Sequence, residues 1–241
     1  MDMDMTSMLP GWWTPLAWIW FGVCLLSAAV LAYDIYGRGH RQQPRVMEPV
    51  WPISALFLGP VALLLYSRWA RSHNSAAGTS RFARIVLALL PGAAASTVAH
   101  LIGVPVVFGA GWTIAGLSLW AVALFILVLA TALLFVFEYA ASAGVRQGQP
   151  AGQQAGRLLF GALITVLAFD VGMVGWMLYL HANTLMPPIT DVVFTFQMQI
   201  GMLLGMFTAS PIAAWLTAKD ATASGGDASA AVGGDAELRH R

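Results

Sequence analysis

The stretch from Trp112 to Tyr139 reads WTIAGLSLWAVALFILVLATALLFVFEY, and its one charged residue, Glu138, stands next to its end. An apolar stretch of this length can cross a hydrocarbon core of about 30 Å, because a spanning helix needs about 20 mostly apolar residues. We expect a helix here, since backbone polar groups in lipid must be satisfied within their own segment.

The composition of the whole chain supports the same conclusion. Of the 241 residues, 59% are hydrophobic and 10% are charged, whereas a soluble domain has about a quarter of its residues charged. The sequence therefore predicts an all-α, polytopic membrane helix bundle that packs against the lipid bilayer. The net charge of +1 leaves no concentrated basic face for nucleic acid. Cys24 is the one cysteine, which excludes an internal disulfide.

Six stretches of the chain are long and apolar enough to be transmembrane helices. We interpret the first as a retained span and not a removable signal, because its flank carries two aspartates and no Lys or Arg. Residues 1–219 form one predicted transmembrane domain, and residues 220–241 are a predicted disordered tail that is poor in bulky apolar groups. The predicted spans are Thr14–Tyr33, Val50–Trp69, Ile85–Phe108, Trp112–Tyr139, Leu158–His181 and Val192–Ala218.

The distribution of Lys and Arg predicts the orientation. With six spans and the N-terminus inside, nine basic residues lie inside and three, Arg38, Arg41 and Arg45, lie outside. We therefore predict that both termini are cytoplasmic. If Pro49–Tyr66 instead enters the membrane and returns as a re-entrant segment, an N-out chain places all twelve basic residues inside.

Asp170 is the strongest candidate for a functional residue, because it falls in the middle of the fifth span. A carboxylate at that depth costs at least about 2.5 kcal/mol, so it should be paired, protonated or in a wet cavity. We expect it to lie within hydrogen-bonding reach of His100 or Gln199. Such a carboxyl is either an ion or proton site or a structural link between helices. His100 suits proton relay or metal ligation, or it is a packing residue.

Small residues predict close contact between the fifth and sixth spans. Gln197, Gly201 and Gly205 recur every four residues along one stripe of the sixth span. Together with Gly172 and Gly175 of the fifth span, these glycines would let the two helices approach closely.

Methionines near these polar groups raise the question of a metal. Met173, Met202 and His100 are the candidate ligands for Cu(I), which favours soft thioether sulfur. Methionine also serves as a flexible filler between helices, and without clustered Cys or His we favour that explanation. The sequence predicts no metal site, no cofactor and no catalytic residue, since it has no phosphate-binding glycine loop, nucleophile elbow, HExxH or CxxC.

Three blocks of the sequence resemble a known family, the prokaryotic multi-pass membrane family described as domain of unknown function 4396. The blocks are Asp34 to Pro60 with its Met-Glu-Pro-Val-Trp-Pro run, Ala168–Met177, and Gln199–Gly205 followed by Thr208 and Pro211. The resemblance implies a multi-pass fold and brings no known activity, substrate or cofactor.

Two positions depart from the family pattern. That pattern has a cysteine-rich glycine motif around the position of His100, whose neighbours here are Ala99, Leu101 and Ile102. An acidic position early in the fifth span is Ala162. The chain thus lacks residues through which the motif would imply metal chemistry.

These observations leave three hypotheses for a protein of the cell membrane. We favour a non-catalytic scaffold or partner subunit, which would bind another membrane protein or a second copy of the chain. The alternative is a transport or permeation protein with Asp170 and His100 on a polar path, although the paired broken helices common in transporters are not evident. Copper handling is a weaker alternative.

Overall fold

The computed structural model describes residues 9–42, 44–71, 80–142 and 151–238, with the side chains of residues 151 and 220–238 outside the description. The described chain is helical and contains no strand beyond an isolated bridge between Ile114 and Leu117. The helices are α1 (Trp13–Ala32), α2 (Val50–Leu58), α3 (Pro60–Leu65), α4 (Arg81–Gly109), α5 (Ser118–Ala141), α6 (Ala151–Ala182) and α7 (Val192–Leu238). A π-helical turn extends α1 to Gly37, and another extends α3 to Ala70.

Five helices are long and apolar enough to cross a membrane: α1 with its π-turn, α4, α5, α6 and the part of α7 up to Lys219. The predicted all-α membrane bundle is thereby confirmed, and the chain is a multi-pass membrane protein. Helix α7 continues as far as Leu238. Because the side chains beyond Lys219 are not described, the disordered tail at 220–241 stays a prediction.

The second predicted span, Val50–Trp69, is a hairpin and not a continuous helix. Gly59, with φ 55°, separates α2 from α3, and Pro60 begins the returning helix. The Tyr66 ring packs edge-on against Trp51 with ring centroids 5.4 Å apart. A straight helix would hold these residues about 22 Å apart at 1.5 Å per residue, so the end of α3 has returned to the start of α2. Among the described residues, five helices thus qualify as spans and residues 50–70 form a hairpin, where the sequence predicts a sixth span.

Polar contacts hold the base of the hairpin to the end of α1. The Tyr66 hydroxyl donates to Oδ2 of Asp34 over 3.0 Å, and Nδ1 of His40 lies 3.3 Å from Oδ1 of the same carboxylate. Beside this contact, Nη1 of Arg41 donates to Oε2 of the buried Glu48 over 2.8 Å. These bonds supply the partners that the buried carboxylates at the two sides of the connection need.

The tip of the hairpin depends on Gly59 and on an amide from α7. A Cβ at Gly59 would lie 3.3 Å from both Sγ of Cys24 and the ring of Trp20, so a side chain would crowd α1. Because Pro60 has no N–H, the carbonyl of Leu56 lacks its i+4 donor. Nε2 of Gln199 supplies that donor over 2.6 Å.

Helices α6 and α7 form the closest helix pair through three of the four predicted glycines. A Cβ at Gly172 would lie 2.5 Å from the carbonyl oxygen of Leu204, and one at Gly205 would lie 2.8 Å from Phe169. A Cβ at Gly201 would lie 2.5 Å from the sulfur of Met173.

Gly175, the fourth of these glycines, is not part of this contact, because nothing lies within 4 Å of its Cβ position. Trp176, the next residue, faces α7 at Gly201. A helix turns by about 100° per residue, which points position 175 away from α7.

The hairpin brings the described basic residues to one end of the bundle, which we call the basic end. Contacts link the end of α1 to the hairpin base, and Trp69 of the hairpin to Phe82 at the start of α4, with ring centroids 6.4 Å apart. At the opposite end, Trp13 of α1 meets Phe196 of α7 with centroids 5.8 Å apart, beside the loops 110–117 and 183–191. The described residues of the basic end include Arg38, Arg41, Arg45, Arg68, Arg71, Arg81, Arg84, Arg157 and Lys219, whereas Arg146, Arg239 and Arg241 lie outside the described residues.

The five described spans put Trp13, where the first begins, and Lys219, where the last ends, at opposite ends of the bundle, whereas six spans with both termini inside would put them at the same end. The re-entrant alternative for Pro49–Tyr66 matches the hairpin. By the positive-inside rule the basic end should face the cytoplasm.

We expect residues 45 and 67 to lie on one side of the membrane and residue 190 on the other. Single cysteines replacing Arg45, Ser67 and Thr190, all exposed, are placed in a Cys24→Ser chain and labelled with an impermeant thiol reagent on intact cells. The Thr190→Cys chain should label at once, and the other two only after permeabilisation. Opposite behaviour of positions 45 and 67 would instead indicate a six-span chain.

Gly172→Ala should lower the melting temperature of the detergent-solubilised protein, because the new methyl group would overlap the Leu204 carbonyl. Gly175→Ala is the matched control. It has open space around the Cβ position, and replacing a helical glycine by alanine contributes up to about 1 kcal/mol of stability. Equal melting temperatures for the two variants would contradict the proposed contact.

Candidate functional site

A cavity of about 550 Å³ opens among α4, α5, α6 and the first turns of α7, at the end of the bundle opposite the basic end. Its rim comes from the loops 110–117 and 183–191, and its walls are mainly apolar. This volume falls in the range of about 300–1,000 Å³ that is typical of small-molecule sites. The cavity is therefore the candidate functional site.

Asp170 lines this cavity from the middle of α6. It makes no hydrogen bond or ion pair within the described part of the chain. The expected hydrogen bond to His100 or Gln199 is thus wrong, although His100 lines the same cavity. For Gln199 the physical reason is the rotation of α6: Phe169 faces Gly205 of α7, so the next residue is turned about 100° away from α7.

His100 lines the cavity, and a bond to its own helix fixes the tautomer of its ring. Its Nδ1 lies 2.7 Å from the carbonyl oxygen of Ser96, to which it donates. A neutral imidazole that donates from Nδ1 carries its lone pair on Nε2. The ring of this lining residue therefore keeps one hydrogen-bond acceptor, Nε2.

The two predicted glutamines do not line the cavity. Gln199 bonds to the hairpin tip, and its Oε1 is buried without a partner in the described chain. Gln197 is 1% exposed, and its Oε1 has no described partner either. These amides belong to helix packing and to the hairpin, which separates them from Asp170 and His100.

The three candidate metal ligands are not brought together. Met173 and His100 line the cavity. Met202 does not, and its sulfur accepts a hydrogen bond of 3.6 Å from the Thr97 hydroxyl. No group of three or more His, Cys, Asp or Glu residues that could hold a metal ion occurs among the described residues.

Three further polar side chains line the cavity, and none of them is among the candidate residues of the sequence: His181, Thr113 and Ser118. The sequence spacing could have placed His181 on the same face of α6 as Asp170. Residues every three or four positions share one face of a helix, and this face carries Asp170, Val174, Met177 and His181. The loop residues at the rim have no such periodicity.

The cavity and its helices coincide with a family match. The family described as Domain of unknown function (DUF4396) matches residues 81–221, which is more than half of the chain. The chain belongs to this family. The DUF4396 match covers α4 to α6, the described part of α7 that crosses the membrane, and every residue that lines the cavity.

The match also divides the three blocks of resemblance. The blocks around Asp170 and Gln199 lie inside it, and the block from Asp34 to Pro60 lies outside it, with α1 and the hairpin. No curated protein and no solved structure matches the chain.

Gln199→Leu should loosen the hairpin, because it leaves the Leu56 carbonyl without a donor, at a cost of about 1–3 kcal/mol. Cys24 reports the change, since it is fully buried beneath Gly59. We expect Cys24 in detergent-solubilised protein to react with a thiol reagent roughly tenfold faster or more, as each 1.4 kcal/mol corresponds to a factor of ten.

Gln197→Leu is the control for this experiment, being the same change two residues earlier on α7. It removes no described bond to the hairpin, so Cys24 should keep its parental rate. The same acceleration in both variants would rule out a specific role for the bond between Gln199 and Leu56.

Proposed function

We propose that this DUF4396 protein is a ligand-binding membrane protein of the transport or permeation class. The cavity around Asp170 and His100 would receive a small molecule from the end of the bundle opposite the basic end. The observation that carries the proposal is a mid-span carboxyl that lines a cavity and has no described partner. A membrane protein retains so costly a group where it serves a function.

The scaffold role favoured from the sequence is the second candidate. It is supported by the close contact of α6 and α7, in which Gly172 meets the Leu204 backbone. A scaffold would use Asp170 to join two helices, however, and no such bond occurs among the described residues. This difference favours ligand binding.

Copper handling has weaker support. Met173, Met177, Met186 and Met198 place thioethers on the cavity wall. The sulfur of Met173, however, lies 2.5 Å from the position that a Cβ of Gly201 would take. It therefore fills the space that this glycine leaves, as a packing residue does.

We also propose where the protein lies and which way it faces. The basic end would face the cytoplasm and the cavity would open to the other side of the cell membrane, because basic segments stay inside. Exposed apolar side chains such as Ile19, Val128 and Phe207 would contact lipid. A membrane-protein partner or a second copy of the chain stays a prediction.

A cysteine replacing Ala123, which lines the cavity, should react with a small neutral methanethiosulfonate in sealed vesicles of the Cys24→Ser chain. The control replaces Leu124, the next residue of α5, which is 53% exposed on the bundle surface. The reactive thiolate forms in water and not in lipid, so position 123 should react roughly tenfold faster or more. Slow, equal rates would mean that the cavity admits no molecule, and the proposal would fail.

A further inference from the structure

The polar groups that the spans direct to this cavity suggest the chemistry of its ligand. Asp170 offers carboxylate oxygens, and His100 offers the lone pair of Nε2 because its Nδ1 donates to Ser96. Both groups accept hydrogen bonds when the carboxyl is ionised. A ligand that satisfies them must therefore donate.

The charges of the surrounding residues indicate which kind of hydrogen-bond donor the cavity favours. Asp170 at mid-span and Asp191 in the loop 183–191 are the acidic residues of the cavity half of the described chain, and every described Lys and Arg lies at the basic end. Arg157, the arginine of the same helix as Asp170, stands 13 residues before it, which is roughly 20 Å along the helix axis. At that distance its guanidinium cannot form an ion pair with the Asp170 carboxyl. A cation entering the cavity meets a carboxylate without a described counter-charge, whereas an anion is repelled.

The remaining walls favour an organic cation over a bare metal ion. Phe108, Phe194 and Met198 line the cavity together with aliphatic side chains. Aromatic rings and thioethers pack well against an apolar body, and a ring face attracts a cation. A metal ion would instead need several ligating groups, and the described residues contain no cluster of three.

We propose that the cavity selects a protonated amine with an apolar body, with Asp170 as its counter-charge and Nε2 of His100 as an acceptor. This inference rests on the proposed function, because it names the ligand class of the same cavity. An ammonium group has three N–H donors and no acceptor. A cavity of about 550 Å³ has room for a ligand of one aromatic ring with a short side chain.

The test uses protection of the cysteine at position 123 from the neutral reagent. The competitors are 2-phenylethylamine, the neutral 2-phenylethanol and the anionic 3-phenylpropanoate, which share one ring and a similar length. We expect the amine to reach half-protection at about tenfold lower concentration than the alcohol or less, because a hydrogen bond to a charged group exceeds a neutral one by about this factor. The carboxylate should protect least.

Asp170→Asn removes the charge and keeps the shape, so the advantage of the amine over the alcohol should disappear. Asp170→Glu restores the charge and should restore part of the advantage. Melting temperatures of both variants check the fold, and neither loses a described hydrogen bond.

The outcomes separate the two proposals. Absence of labelling at position 123 overturns ligand access, and with it the proposed function. Labelling with equal protection by amine and alcohol in the parent chain overturns the amine inference alone, whether or not the Asp170 variants fold. An amine advantage that persists in Asp170→Asn also overturns it.

Discussion

Pro60 has no backbone N–H, so the carbonyl of Leu56 has no donor within its own helix. In lipid such a carbonyl has no water to accept from, and an unsatisfied backbone group there costs several kcal/mol. Gln199 of α7 resolves the problem by donating to that carbonyl over 2.6 Å. The arrangement of the other elements follows from the turn that this bond stabilises, because the chain returns inside the bundle. Residues 50–70 therefore do not add a sixth span to the five of the described chain.

The hairpin also keeps the described basic residues and the cavity at different ends of the bundle. Without it, the arginines before the hairpin and those after it would lie at opposite ends. With it, the described basic residues share the end where Tyr66 meets Asp34, and the cavity opens at the other end. Asp170, at mid-span, makes no ion pair within the described chain, and the arginine of its own helix, Arg157, lies roughly 20 Å away along the axis.

Hydropathy predicts the bundle well, since α1, α4, α5, α6 and α7 each contain an apolar window that only a membrane helix needs. The same property cannot distinguish a crossing segment from a returning one, because both are apolar. Gly59-Pro60 was the local signal for the return, but the positive φ of Gly59 and its packing on Cys24 are tertiary facts. The error over the partner of Asp170 has a similar origin, since sequence spacing gives the faces of a helix but not which neighbour each face meets.

Helix α6 shows how packing and function share one element. Phe169, Gly172 and Trp176 form the face that meets α7, and Asp170, Met177 and His181 form the face that lines the cavity. The two faces are fixed to each other, because residues on one helix keep angles of about 100° per position. The glycine contact with α7 therefore sets the direction of the carboxyl, although no glycine touches it. A side chain at Gly172 would push α6 away from the Leu204 backbone, and any rotation that relieves the overlap would turn Asp170 with it. The small residues between α6 and α7 thus position the candidate site as well as stabilise the bundle.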